Sequence, residues 1–75
     1  MRVTVAKVNE VFFDGEAHSL TLPGIGGELT ILGEHMPLVT LLKAGMVTIR
    51  GEEDRHIKID GGVLEVRPDG ATVIL

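Results

Sequence analysis

Met46–Arg67 reads MVTIRGEEDRHIKIDGGVLEVR. Val47 and Ile49 alternate with Met46, Thr48 and Arg50; Ile57 and Ile59 alternate with His56, Lys58 and Asp60; Leu64 and Val66 alternate with Glu65 and Arg67. Successive side chains of a strand point to opposite faces, so a period of two predicts strands with one buried face. The charged run Gly51-Glu52-Glu53-Asp54 separates the first two patterns and reads as the exposed tip of a hairpin. Gly61-Gly62 interrupts the second and third patterns, as a kink or bulge does.

The same alternation extends towards the N-terminus. Val3 and Val5 alternate with Arg2 and Thr4, a break follows at Asn9-Glu10, and Asp14-Gly15 reads as a hairpin turn. His18, Leu20 and Leu22 share one strand face, which Pro23-Gly24 ends. Beyond the glycine-rich Gly24–Gly27 turn, Leu29 and Ile31 point to one face and Glu28, Thr30 and Leu32 to the other. Leu38–Leu42 is almost continuously apolar, and periodicity leaves a doubly covered strand and a short helical turn both open. Lys43-Ala44-Gly45 reads as a turn of the chain. Towards the C-terminus, Pro68-Asp69-Gly70 is a further turn and Ala71–Leu75 a last strand. Turn signals recur about every 8–12 residues, the spacing of a sandwich or barrel. The expected fold is all-β: a two-sheet antiparallel β-sandwich filling residues 1–75 as one domain.

Composition narrows the function classes. With 75 residues and no cysteine, the chain has neither disulfide nor thiolate–zinc staple and must rely on an apolar core, helped by any partner that covers one face. The net charge of -4 argues against nucleic acid, which needs a clustered basic surface. Trp and Tyr are absent and aromatics make up 3%, so base-stacking platforms are not expected. No apolar run reaches the ~20 residues of a spanning helix, and no basic-then-apolar leader opens the sequence. These features point to a protein of a reducing compartment, without excluding docking onto a membrane complex.

Catalytic chemistry finds little purchase. Glu28 follows Gly24-Ile25-Gly26-Gly27 where a phosphate loop needs Lys and Ser or Thr, and a strand pattern follows where such a loop needs a helix. His18, His35 and His56 lack metal-ligand spacing and have no cysteine partners. Ser19, the only serine, lies in a strand pattern rather than on a sharp strand–helix elbow. Glu52-Glu53 sits in a solvated turn. No catalytic, cofactor-binding or metal-ligating residues are assigned.

Leu22–Ile49, LPGIGGELTILGEHMPLVTLLKAGMVTI, resembles the signature region of the epsilon subunit of rotary F-type ATP synthases. The shared run is a turn glycine, Gly-Glu, a short apolar strand, His-x-Pro-Leu, a Thr, and Gly before another apolar strand. Gly61–Leu75 is similar to the family's closing hairpin, and Phe13-Asp14-Gly15-Glu16 also fits. The resemblance spans essentially the whole chain. It departs at Thr30, where the family usually has Gly, and at Gly33-Glu34, where it usually has Pro-Gly. The family commonly continues into a C-terminal helical hairpin, and this sequence stops in the last strand.

The resemblance implies a flattened β-sandwich at the foot of a rotor. It would dock the gamma subunit onto the polar loops of the membrane c-ring, couple proton or sodium translocation to ATP synthesis without catalysing it, and lack hairpin-type autoinhibition. Glu28 matches the position facing the c-ring; His35, Thr40 and Lys7 match positions facing gamma. No cofactor is implied. The location implied is the cytoplasmic face of the bacterial plasma membrane, held peripherally through the complex. Met36, Leu38 and Met46 are apolar residues near loops and suit such an interface. The alternative is a small stand-alone ligand-binding β-sandwich.

Overall fold

The computed structural model describes residues 1–33 and 37–75; Glu34, His35 and Met36 lie outside the described residues. Seven strands follow in chain order: β1 (Arg2–Lys7), β2 (Glu10–Glu16), β3 (Ser19–Gly24), β4 (Gly27–Leu32), β5 (Leu38–Arg50), β6 (Arg55–Arg67) and β7 (Gly70–Ile74). Among the described residues there is no helix. The apolar run at Leu38–Leu42 is therefore strand, and only one of its faces is covered. Leu42 is buried and Leu38 and Thr40 are half-buried, while Val39 and Leu41 are exposed.

The strands form one hydrogen-bonded sheet of order β2-β1-β7-β6-β5-β3-β4. Two 13-residue strands, β5 and β6, fold that sheet over on itself. Their pairing keeps one register from Leu38↔Val66 to Ile49↔Arg55. The inward face nevertheless changes along both: Leu42 and Leu64 are buried at one end, Val47 and Ile59 at the other. The change falls where Gly61 and Gly62 take φ of 141° and 156°, a region closed to residues with a Cβ. The ribbon thus runs through both layers of a sandwich, as corner strands do when they switch sheets. One layer holds β2, β1, β7 and the adjoining halves of β6 and β5; the other holds the remaining halves with β3 and β4.

The sandwich is all-β as expected, but its two layers are one continuous sheet, and β1 pairs with β7 in parallel. The parallel pair arises because β7 returns from β6 on the same side and in the same direction as β1. Asp14-Gly15 is not a turn: it lies within β2, opposite Thr4 and Val3, and Val8-Asn9 makes the turn instead. Arg2 and Thr4 both donate to Asp14 Oδ1, at 2.9 and 3.2 Å, which fixes this segment across the strand pair. Lys43-Ala44-Gly45 likewise stays within β5, at the corner where the ribbon changes face.

The core is aliphatic. Val3, Val5, Leu20, Leu22, Val47, Leu64 and Val73 are fully enclosed, with Ile31 and Ile49 close behind, and among the described residues no polar side chain is buried. Each such side chain contributes about 1.5–3 kcal/mol of transfer free energy. One open side, between β2 and β6, is closed by Phe12 and Phe13, which pack against the core. Arg55 there lies 5.7 Å from the Phe13 ring centre and donates to the Phe12 carbonyl at 3.5 Å.

Candidate docking surface

The two outer faces of the sandwich differ in chemistry. On the β5–β3 layer, pairing aligns Thr30, Thr21, Thr48 and His56 in one row across four strands. Thr21 and Thr30 hydroxyls are 3.2 Å apart, and Thr48 Oγ1 is 3.2 Å from His56 Nδ1. The row is polar and its members satisfy one another.

On the other layer, pairing aligns Leu41, Val63, Ile74, Ala6 and Val11 across five strands. Four strand spacings of ~4.8 Å make this row about 19 Å wide. Leu41 is 58% exposed, Ile74 51% and Val11 63%. The Ile25 amide donates to the Leu41 carbonyl at 2.9 Å and sets another exposed aliphatic beside the row's end. The next row on this face is polar apart from its end residue, exposed Val39: Glu65, Thr72, Thr4 and Asp14 are laced by Arg67 and Arg2. Water must cover the apolar row unless a partner does, and singly scattered exposed aliphatics would not align in this way.

The candidate residues do not all meet. Glu28 is exposed on β4, opposite Pro23 and two residues past the Ile25-Gly26 turn. Thr40 lies on β5 opposite Leu64, half-buried and on the inward side of the strand. Gly24 pairs with both Gly27 and Leu42, so Glu28 and Thr40 border the same open side of the sandwich. His35 belongs to the connection between those strands and lies outside the described residues. Lys7 stands apart at the end of β1, three strands from β5, with its amine 5.8 Å from the Phe12 ring centre. Of the apolar residues singled out, Met46 is 50% exposed but faces outward on the polar layer, whereas Val39 and Leu41 carry the apolar face.

Among the described residues no arrangement for catalysis emerges. A broad cleft of about 610 Å³ is lined by Asp14, Glu16, His18, Glu52, Glu53 and Arg55 among others. Its carboxylates are partly committed: Asp14 pairs with Arg2 at 2.9 Å and Glu16 with the N-terminal amine at 3.2 Å. Among the described residues no group of three metal-ligating side chains converges.

Comparison with known proteins agrees with this architecture. The family described as ATP synthase, Delta/Epsilon chain, beta-sandwich domain matches residues 1–75. The ATP synthase epsilon chain of Herminiimonas arsenicoxydans is 47% identical over 77 residues, covering 99% of this chain and 55% of the relative. That of Janthinobacterium sp. (strain Marseille) is 46% identical over the same length and shares. The chain thus spans about half the length of the relatives it matches. Two solved assemblies share the fold. In the Euglena gracilis mitochondrial ATP synthase (OSCP/F1/c-ring) a chain superposes with TM-score 0.87 at 21% identity, over 96% of this chain and 48% of that one. In the central stalk/c-ring of the Tetrahymena thermophila mitochondrial ATP synthase the TM-score is 0.81 at 20% identity, over 99% and 61%. With the sheet, its corner and its one apolar face already in place, the match over residues 1–75 decides the family: the chain belongs to the ATP synthase delta/epsilon-chain β-sandwich domains.

Proposed function

We propose that this sandwich is a non-catalytic rotor module of an F-type ATP synthase. It docks the gamma subunit onto the c-ring and couples proton or sodium translocation to ATP synthesis. The carrying observation is the asymmetry of the outer faces: one crossed by a polar row whose members bond one another, the other by an exposed apolar row five strands wide. Such a face favours a protein partner by area removed from water. Glu28, exposed beside a hairpin tip, suits the polar loops of the ring, where a rim charge tunes complementarity. Thr40 borders the side proposed to meet gamma, Lys7 adds a contact at the far end of the same layer, and His35, outside the described residues, is proposed for the same contact from the sequence resemblance alone. The structural relatives come from ATP synthase assemblies, one an OSCP/F1/c-ring and the other a central stalk with c-ring, which supports the setting. The module then works peripherally, at the cytoplasmic face of a bacterial membrane. Torque transfer needs stiffness, which a close-packed aliphatic core supplies. The sandwich offers no bistable element among its described residues, so we read it as a coupling element rather than a brake.

The test is to rebuild the complete complex with and without this chain and measure ATP hydrolysis beside ion pumping. Pumping that depends on the chain, with hydrolysis not suppressed by it, is the expected result. Pumping that is indifferent to the chain, or strong inhibition traceable to it, contradicts the proposal.

A further inference from the structure

Among the described residues β4 is an edge strand of the sheet, and the side it leaves unpaired can be read from the pairing. Two residues, Ile25 and Gly26, connect the paired residues Gly24 and Gly27. A two-residue hairpin loop closes on a pair that exchanges both hydrogen bonds, so Gly24↔Gly27, Leu22↔Leu29 and Leu20↔Ile31 are the bonded pairs. Pro23, opposite Glu28, has no N–H to give, which agrees with that phase. The close approach of the Thr21 and Thr30 hydroxyls, at 3.2 Å, also agrees, because non-bonded pairs bring side chains nearer. The N–H and C=O groups of Glu28, Thr30 and Leu32 therefore point away from β3, off the sheet.

Exposed edges are normally blunted by charge, proline, bulges or cover. The β2 edge carries Glu10, Asp14 and Glu16 and a bulge opposite Val5/Ala6. The β6 edge carries Arg55 and Lys58 and is met by Phe12 and Phe13. The free stretch of β5 begins beside Pro37, and the Ile25 amide bonds its Leu41 carbonyl. β4, GELTIL, has no proline and no bulge and holds one charge, Glu28, with Leu32 59% exposed.

From this we infer that β4 is a strand-addition site: an extended segment of a polar loop of the c-ring pairs with it through the backbone of Glu28, Thr30 and Leu32. Charge complementarity asks for a cationic residue beside Glu28, and exposed Leu32 asks for an apolar one at the other end. The inference rests on the docking reading above and deepens it, since it names the geometry by which the ring loops are held at the Glu28 edge.

Two measurements test it. Residue-resolved amide exchange is compared between the free chain and the chain assembled with its gamma subunit and c-ring. Glu28, Thr30 and Leu32 amides should exchange freely in the chain alone and slow at least tenfold on assembly, while Leu29 and Ile31 are protected in both. Thr30→Pro deletes an outward amide and leaves the β3 ladder whole, so assembly should weaken at least tenfold; Thr30→Val keeps the amide and should assemble within twofold of the parent chain. Assembly with unchanged exchange at the three amides overturns strand addition while the docking reading stands, as does Thr30→Pro assembling like the parent. Failure of the parent chain to assemble at all overturns the docking reading, and strand addition with it.

Discussion

Adding one methyl group at Gly62 should come close to unfolding the protein. A Cβ built there stands 2.6 Å from the Ile74 carbonyl oxygen and 3.1 Å from a Leu75 methyl carbon. The first distance is too short to keep, and the atom met is backbone, so β6 and β7 must move apart where Val63 pairs with Ile74. The backbone also holds φ at 156°, which costs a residue with a Cβ about 1–3 kcal/mol. Weakening one or two ladder hydrogen bonds adds about 0.5–1.5 kcal/mol each. Together Gly62→Ala should lose about 2–4 kcal/mol, against the ~3–5 kcal/mol that a core of this size supplies. At about 4–8 °C per kcal/mol, the melting temperature falls by roughly 8–32 °C. Gly26→Ala is the control, because a Cβ there meets nothing within 4 Å. It should stay within about 0.5 kcal/mol of the parent chain, as surface changes do. Urea unfolding followed by far-ultraviolet circular dichroism measures both. If Gly62→Ala unfolds at the parent's urea midpoint, the corner does not depend on glycine and the account of the face change is wrong.

Three further outcomes follow from the same geometry. Glu28→Lys should weaken assembly with the c-ring about tenfold or more while melting within a few degrees of the parent, since the residue is exposed; a collapse in stability would make Glu28 structural instead. Thr40→Arg should lose both gamma binding and about 1–3 kcal/mol of stability, because Thr40 is half-buried opposite fully enclosed Leu64; unchanged thermal melting would show that the side chain is free to swing out. Asp14→Ala should cost only about 0.2–1 kcal/mol in denaturant titrations, since its Arg2 and Thr4 partners form an exposed cluster; a larger loss would mark the cluster as a structural anchor.

The strand content was legible because half-covered strands write their geometry into the sequence. Val47 and Ile49, Ile57 and Ile59, and Leu64 and Val66 show it, and burial follows the alternation at all but half-buried Ile57. Gly61-Gly62 announced the corner, but not that the inward face changes there, because both strands turn together and no register slip marks the event. Asp14-Gly15 carries the composition of a turn yet lies in a strand, paired with Thr4 and Val3 of β1, partners 10 and 12 residues away. Glu28 enters from the sequence only through the family resemblance, as a c-ring position; the structure gives its place, exposed near a hairpin tip on β4. The apolar row was not legible. Its members, Ala6, Val11, Leu41, Val63 and Ile74, come from five strands and align only through register and through the parallel β1–β7 pair. A residue-by-residue reading sees five unremarkable aliphatics, and only cross-strand order makes them a surface.

The most direct test of the docking account is a calorimetric titration of the purified 75-residue chain with the gamma subunit. The parent chain is compared with the double variant Leu41→Lys and Ile74→Lys. Both residues are more than half exposed, at 58% and 51%, and share the apolar row, so the fold should tolerate the change. The account predicts specific binding by the parent and a loss of affinity of about tenfold or more in the double variant, as for central interface positions worth over ~1 kcal/mol each. Melting temperatures should stay within a few degrees of one another. A double variant that binds gamma as tightly as the parent would contradict the account, because the partner would then lie on some other face.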